Sequence, residues 1–191
     1  MEPIEILHHV TSKLTELGIP YMVGGSFASS LYGLARTTQD ADLVVSLTQS
    51  QVPALVEAFT GQFYLDSTMI KDSLRHQTSF NIIHLESTFK IDFFPLQPGE
   101  FHQQSFSRRR LEPIDATLKV REYVQSAEDT VLYKLDWYRK GGGVSEVQWR
   151  DILGILKTQG AALDGDYLDR WARELGLAEL LEGAKGEAGL R

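Results

Sequence analysis

The 191-residue sequence contains no cysteine, so disulfides and thiolate metal sites are excluded. It has no apolar run near the ~18 residues needed to cross a bilayer, and no membrane contact is expected. The first ten residues, MEPIEILHHV, lack the basic start and apolar block of a secretory signal, which sets a cytoplasmic expectation. Positive charge is also scarce: 19 Lys and Arg stand against 26 Asp and Glu, a formal net charge of −7. That balance argues against non-specific nucleic-acid binding, which needs clustered cations. His8, His9, His76, His84 and His102 show no ligand spacing such as His-x-x-x-His and are expected to be surface or structural residues. Ser26 and Ser29 lack a Gly-x-Ser-x-Gly elbow, which argues against a serine hydrolase. Gly141–Gly143 is not followed by Gly-Lys-Ser/Thr and reads as a helix connection, not a P-loop.

What is present is an ordinary globular composition, 42% hydrophobic and 24% charged, with length for one domain or one domain plus a helical appendage. The charge is uneven. Only residues 106–140 are net basic, with 8 Lys and Arg against 6 Asp and Glu. They include Arg108-Arg109-Arg110, a run that reads first as a solvated loop and second as a contact to phosphate or RNA.

Ile4, Leu7, Val10, Leu14 and Leu17 recur at helical spacing until Gly18-Ile19-Pro20. Tyr21–Val23 is a short strand candidate, Ser26–Leu34 a short helix, Asp42–Leu47 a strand and residues 49–59 a helix. Residues 78–85 and 88–94 predict a hairpin about Glu86-Ser87. Residues 95–110 read as a loop, with a short strand near 117–120. From Ser126 the character is helical. Ser126 caps a helix ending near Gly141, and Ser145 with Gln148 matches a capping box opening a helix to about Gln159. A last helical region covers about 164–183, with a frayed tail. Trp137, Tyr138, Trp149 and Trp171 read as core, and Arg150-Asp151 as a structural ion pair. The predicted organisation is an α/β (α+β) domain over 1–122, a mixed sheet flanked by helices, followed by a helical cap over 123–191.

Three features carry chemistry. Gly24-Gly25-Ser26 between a strand and a helix suits a phosphate, because backbone N–H groups can approach an anion at a helix N-terminus. It is equally a tight turn with a capping serine. Asp40 and Asp42 are two apart on an extended chain, so both carboxylates point to one face. Like charges so placed repel unless a cation sits between them, and a hard divalent ion such as Mg²⁺ suits carboxylates. A solvated pair before the strand is the alternative. Asp92 lies within the apolar run Phe89–Pro95, where burial without a partner is costly. It either sits on a solvated edge or joins the other two aspartates. Three converging carboxylates would meet the needs of a two-metal centre for attack at phosphorus.

In this order, Gly24-Gly25-Ser26, Asp40-Ala41-Asp42 and Asp92 resemble the pattern of the nucleotidyltransferase superfamily that includes DNA polymerase beta. The segment from Arg36 to Leu43, with Glu128-Asp129…Lys134-Leu135 and then Arg150-Asp151, resembles the AbiEii-type branch, which includes toxins of toxin–antitoxin and phage-defence systems. The resemblance implies a Mg²⁺-dependent transfer of a nucleoside monophosphate from an NTP such as ATP to an acceptor hydroxyl on tRNA, protein or a small molecule. It implies that Asp40 and Asp42 bind two Mg²⁺ ions and that Asp92 completes one site and helps deprotonate the acceptor. Gly24, Gly25 and Ser26 would hold the nucleotide phosphates, and Lys134 would reach the triphosphate. Arg36 would do likewise, or pair with Asp40. An antitoxin protein would be a further partner. The rival reading is a non-catalytic nucleotide-binding or antitoxin-like module that keeps the fold.

Overall fold

The computed structural model describes residues 1–115 and 119–190. Two compact units emerge, one from residues 1–24 with 38–124 and one from residues 25–37 with 125–191.

The first unit is built on a seven-stranded mixed sheet in the order β3-β4-β5-β2-β1-β7-β6. Its strands are β1 (Tyr21–Val23), β2 (Asp40–Val45), β3 (Phe63–Tyr64), β4 (Phe80–His84), β5 (Lys90–Pro95), β6 (Arg110–Asp115) and β7 (Val120–Val124). The β2–β5 and β1–β7 pairs are parallel, and the other neighbours are antiparallel. Among the described residues its α-helices are α1 (Pro3–Glu16), α3 (Val52–Phe59), α4 (Ser67–His76) and α5 (Glu100–Ser107).

Local chemistry accounts for most of these elements. α1 starts at Pro3, where a missing N–H is harmless, and Glu2 with Glu5 forms a reciprocal cap. Its apolar stripe Ile6, Leu7, Val10 and Leu14 is buried. β2 and β5 alternate between buried and partly exposed positions. Ala41, Leu43 and Val45 with Ile91 and Phe93 enter the core, where Phe93 stacks on Phe80 at 4.9 Å between ring centroids. Each large side chain so buried contributes roughly 1.5–3 kcal/mol. The β4–β5 hairpin forms about Glu86-Ser87 as expected.

Other elements differ from expectation. Residues 95–110 contain α5, which follows Gly99 at φ 123°, a conformation open to glycine. Helix α4, capped by Asp66 through its bond from the Met69 N–H, was not foreseen. The expected strand near 117–120 falls partly outside the described residues, and the strand found there is β7 from Val120.

The second unit is helical: α2 (Gly25–Tyr32), α6 (Ala127–Lys140), α7 (Glu146–Gln159), α8 (Gly165–Glu174) and α9 (Ala178–Ala188). Ser126 caps α6 by accepting from the Asp129 N–H, as the sequence predicts. Ser145 likewise caps α7 from Gln148 N–H, but the Gln148 side chain turns to Lys134 and does not close the box. The single helical region expected over 164–183 is two helices, divided where Gly176 adopts φ 68°. The tail expected to fray instead continues α9 to Ala188. Gly33, just past the end of α2, lies close against α7, where a Cβ would come within 2.9 Å of the Gly154 carbonyl carbon and the Ile155 nitrogen.

Candidate active site

The residues singled out from the sequence fall into two groups, one in each unit. In the first, alternation along β2 puts Asp40 and Asp42 on the face opposite Ala41, Leu43 and Val45. The same alternation on β5 gives Lys90 and Asp92 that role. The parallel register pairs Asp42 with Asp92 and Asp40 with Lys90. With strands ~4.8 Å apart, the Asp42 and Asp92 positions stand abreast on one face, and Asp40 is two residues along. On the other side of β5, Asn81 of β4 is the partner of Asp92. The Thr38 hydroxyl donates to Asp40 Oδ1 at 2.9 Å, and the Gly24 N–H donates to the Asp42 carbonyl at 2.9 Å.

A cation already stands on this face. Lys90 Nζ lies 2.6 Å from Asp92 Oδ2, with the lysine side chain 40% and the aspartate 18% exposed. The hydrogen bond to Asp92 raises the Lys90 pKa above its ordinary value. Burial opposes this, while the charges of Asp92, Asp40 and Asp42 add to it. The donor set, three carboxylates on one face with two abreast, has the chemistry and register for a hard divalent cation. The side chains as they stand do not converge. Among the described residues no three His, Cys, Asp or Glu side chains are close enough to hold one ion. Asp92 is engaged by Lys90 instead.

The second group is a polar cluster centred on Asp151 of α7, 5% exposed. Lys134 Nζ lies 2.9 Å from Asp151 Oδ2 and 3.0 Å from Gln148 Oε1. Arg36 Nη2 lies 3.2 Å from the same carboxylate and also donates to the Ser26 hydroxyl at 2.5 Å. Ser29 Oγ is 3.4 Å from Asp151 Oδ2. Burial pushes the Asp151 carboxyl up, but hydrogen bonds and charge from Lys134 and Arg36 outweigh it and hold the group below the usual carboxylate range. Gly25, with φ 54°, opens α2, so Ser26 lies in a first helical turn. Thus Ser26, Arg36 and Lys134, which the sequence linked only by resemblance, share one hydrogen-bonded network. Its organiser, Asp151, was expected merely to pair with Arg150.

Other polar and aromatic contacts are structural. Glu122, 1% exposed, accepts from the Tyr21 hydroxyl at 2.5 Å and lies 2.7 Å from His8 Nδ1. Burial first, then the Glu122 contact, drives the Tyr21 pKa far above its ordinary value. Arg109 stacks its guanidinium over Phe106 at 4.4 Å and Tyr123 at 5.2 Å and donates to the Phe106 carbonyl. Trp171 is buried, as expected, whereas Trp137 is 54% exposed and Trp149 bonds Glu187 at 2.9 Å.

No family model and no curated protein sequence matches the chain. Solved structures do. The antibiotic-resistance factor ANT(2'')-Ia aligns over 94% of this chain and 96% of its own, with a TM-score of 0.59 at 16% identity. An antigenic nucleotidyltransferase-like protein from Paracoccidioides brasiliensis aligns over 96% of this chain and 91% of its own, with a TM-score of 0.54 at 18% identity. At such identities the likeness is one of fold. A mixed seven-stranded sheet flanked by helices, matched to these neighbours over nearly the whole chain, gives this protein a nucleotidyltransferase-like fold.

Proposed function

We propose that the protein transfers a nucleoside monophosphate from an NTP to an acceptor hydroxyl, releasing pyrophosphate. The observation that carries this reading is the β2–β5 register, which sets Asp42 and Asp92 abreast with Asp40 on the same face. Asp40, Asp42 and Asp92 would hold Mg²⁺, which when bound supplies positive charge against the nucleotide phosphates and lowers the cost of attack at phosphorus. Asp92 takes the proton of the acceptor hydroxyl, a role for a carboxylate freed from Lys90.

In the second unit, the Gly25 backbone and the Ser26 hydroxyl hold phosphate oxygens at the start of α2, and the Gly24 backbone, at the end of the first unit's segment, is assigned the same role by the resemblance. Arg36 and Lys134 share the single carboxylate of Asp151, so this trio keeps an excess of positive charge suited to a polyanion. Lys134 serves as a compact point charge, and Arg36 presents a planar fork. The AbiEii-type branch is the finer reading. It is supported by the α6–α7 pair, where Lys134 and Asp151 occupy the Lys-Leu and Arg-Asp segments of the branch pattern. A toxin role and an antitoxin partner follow from that branch resemblance, and a cytoplasmic location from the signal-free, cysteine-free sequence. The acceptor class, whether tRNA, protein or small molecule, is the open variable of this reading.

Incubating the purified protein with Mg²⁺, α-labelled NTPs and a cell extract tests the proposal. Label should pass to a component of the extract in a manner that depends on Asp42. A non-catalytic module would bind nucleotide without transferring label, and the presence of all three carboxylates counts against it.

A further inference from the structure

The carboxylate face carries its own cation. Lys90 is the register partner of Asp40 on β5 and lies two residues before Asp92, so its side chain emerges on the same face as all three aspartates. Its ammonium sits 2.6 Å from Asp92, and the charges of Asp40 and Asp42 also attract it. The three aspartates therefore share a face with the Lys90 ammonium, and the short contact from Lys90 goes to Asp92. Asp92 is only 18% exposed, so this pairing is partly desolvated, and giving it up without another cation would leave a costly partly buried charge.

We propose that Lys90 is a positioning residue that competes with the divalent cation for Asp92, holding that carboxylate until a metal ion displaces the ammonium. The inference rests on the metal-dependent reading above and deepens it. It explains why the register fits a metal centre while the side chains do not converge: an ammonium with a single short contact satisfies Asp92 alone, whereas a divalent ion can draw oxygens from neighbouring strands. The competition has a consequence for affinity. Metal binding at this face includes the work of breaking the Lys90–Asp92 pair, so removing the ammonium tightens binding, whereas moving a charge elsewhere does not.

The test is direct Mn²⁺ binding to the purified full chain by calorimetry and by paramagnetic resonance of the free ion, without nucleotide. The proteins compared are the natural chain, Lys90→Met, Lys90→Gln, Lys90→Arg, Asp42→Ala and, as a charge control, Lys13→Met, which removes a lysine that pairs with Glu16 on α1. Expected is binding that is lost in Asp42→Ala and is tighter by about two- to fivefold in Lys90→Met and Lys90→Gln, the factor that a half-exposed ion pair carries. Lys90→Arg and Lys13→Met should match the natural chain. Asp42-dependent binding with the same affinity in Lys90→Met and the natural chain would overturn the competition while leaving the metal-dependent reading intact. Tightening of equal size in Lys13→Met would also overturn it, by assigning the effect to net charge. Absence of Asp42-dependent Mn²⁺ binding in both the natural chain and Lys90→Met would overturn the inference together with the reading on which it rests.

Discussion

Lys134 and Asp151, 17 residues apart on successive helices, meet at 2.9 Å with their side chains 6% and 5% exposed. A buried carboxylate here holds two cations, Lys134 and Arg36, and through Arg36 the Ser26 hydroxyl. The relationship makes α2, α6 and α7 dependent on one another through charge as well as packing.

Removing the organiser leaves two cations without their anion. Breaking a buried pair by deleting one partner costs ~3–5 kcal/mol. Asp151→Ala should therefore lower the unfolding free energy read from urea titration by a matching amount, with Asp151→Asn less affected because its amide oxygen still accepts hydrogen bonds. An unfolding free energy within about 0.5 kcal/mol of the natural chain's would contradict the assigned role.

The same group predicts a pH dependence. Asp151 has a folded pKa depressed below its unfolded value of about 3.9, so its contribution is fully present above that pH. The contribution is lost as pH falls below about 4 toward the lower folded value, because the unfolded chain then binds the proton more readily. Urea unfolding between pH 7 and pH 3 should show the stability gap between the natural chain and Asp151→Asn narrowing on the acid side. A gap that widens below pH 4 would reverse the sign.

Glu122 offers an independent check in the first unit. Its carboxylate satisfies the Tyr21 hydroxyl and sits against His8. Glu122→Ala strands a buried hydroxyl, a loss of ~1–3 kcal/mol. In the paired variant Tyr21→Phe/Glu122→Leu both polar partners are gone, and stability should recover in part. Additive losses in the double variant would indicate that the two residues do not act as a pair.

Gly33→Ala tests close approach. A Cβ there meets the backbone of Gly154 and Ile155, which cannot swing aside like a flexible side chain. Thermal unfolding should register a loss of about 1–3 kcal/mol. Ala28, a buried small residue on the preceding helix α2, already tolerates its methyl group, so the effect belongs to the Gly33 position.

Much of the frame was readable because it is periodic. Helical spacing marked α1 and apolar runs marked β2 and β5, which placed Asp42 and Asp92 on strands with Asp40 just before the first; in the structure β2 already begins at Asp40. Ser126 and Ser145 announced α6 and α7 through capping chemistry. What escaped notice was non-local or masked by polarity. α4 reads STMIKDSLRH, whose few apolar residues form a stripe visible only once the helix is assumed. Strand order could not be read, so the Asp42–Asp92 pairing remained a conditional. Lys90 carries no signal of its own in the sequence, because its significance depends on the partners that register supplies. Asp151 was matched with Arg150, yet neighbours in a helix point about 100° apart, and the carboxylate instead meets residues distant in sequence.

Nucleotidyl transfer on the carboxylate face of β2 and β5, as proposed, stands or falls on those carboxylates. Its most direct measurement is transfer of α-labelled NMP, with pyrophosphate release, by the natural chain and by Asp42→Asn and Asp92→Asn at equal folded concentration. Label and pyrophosphate are expected from the natural chain, with a loss of at least about a hundredfold in each variant, the scale of removing a metal-binding carboxylate from the reaction. Transfer that persists undiminished in either variant would contradict it.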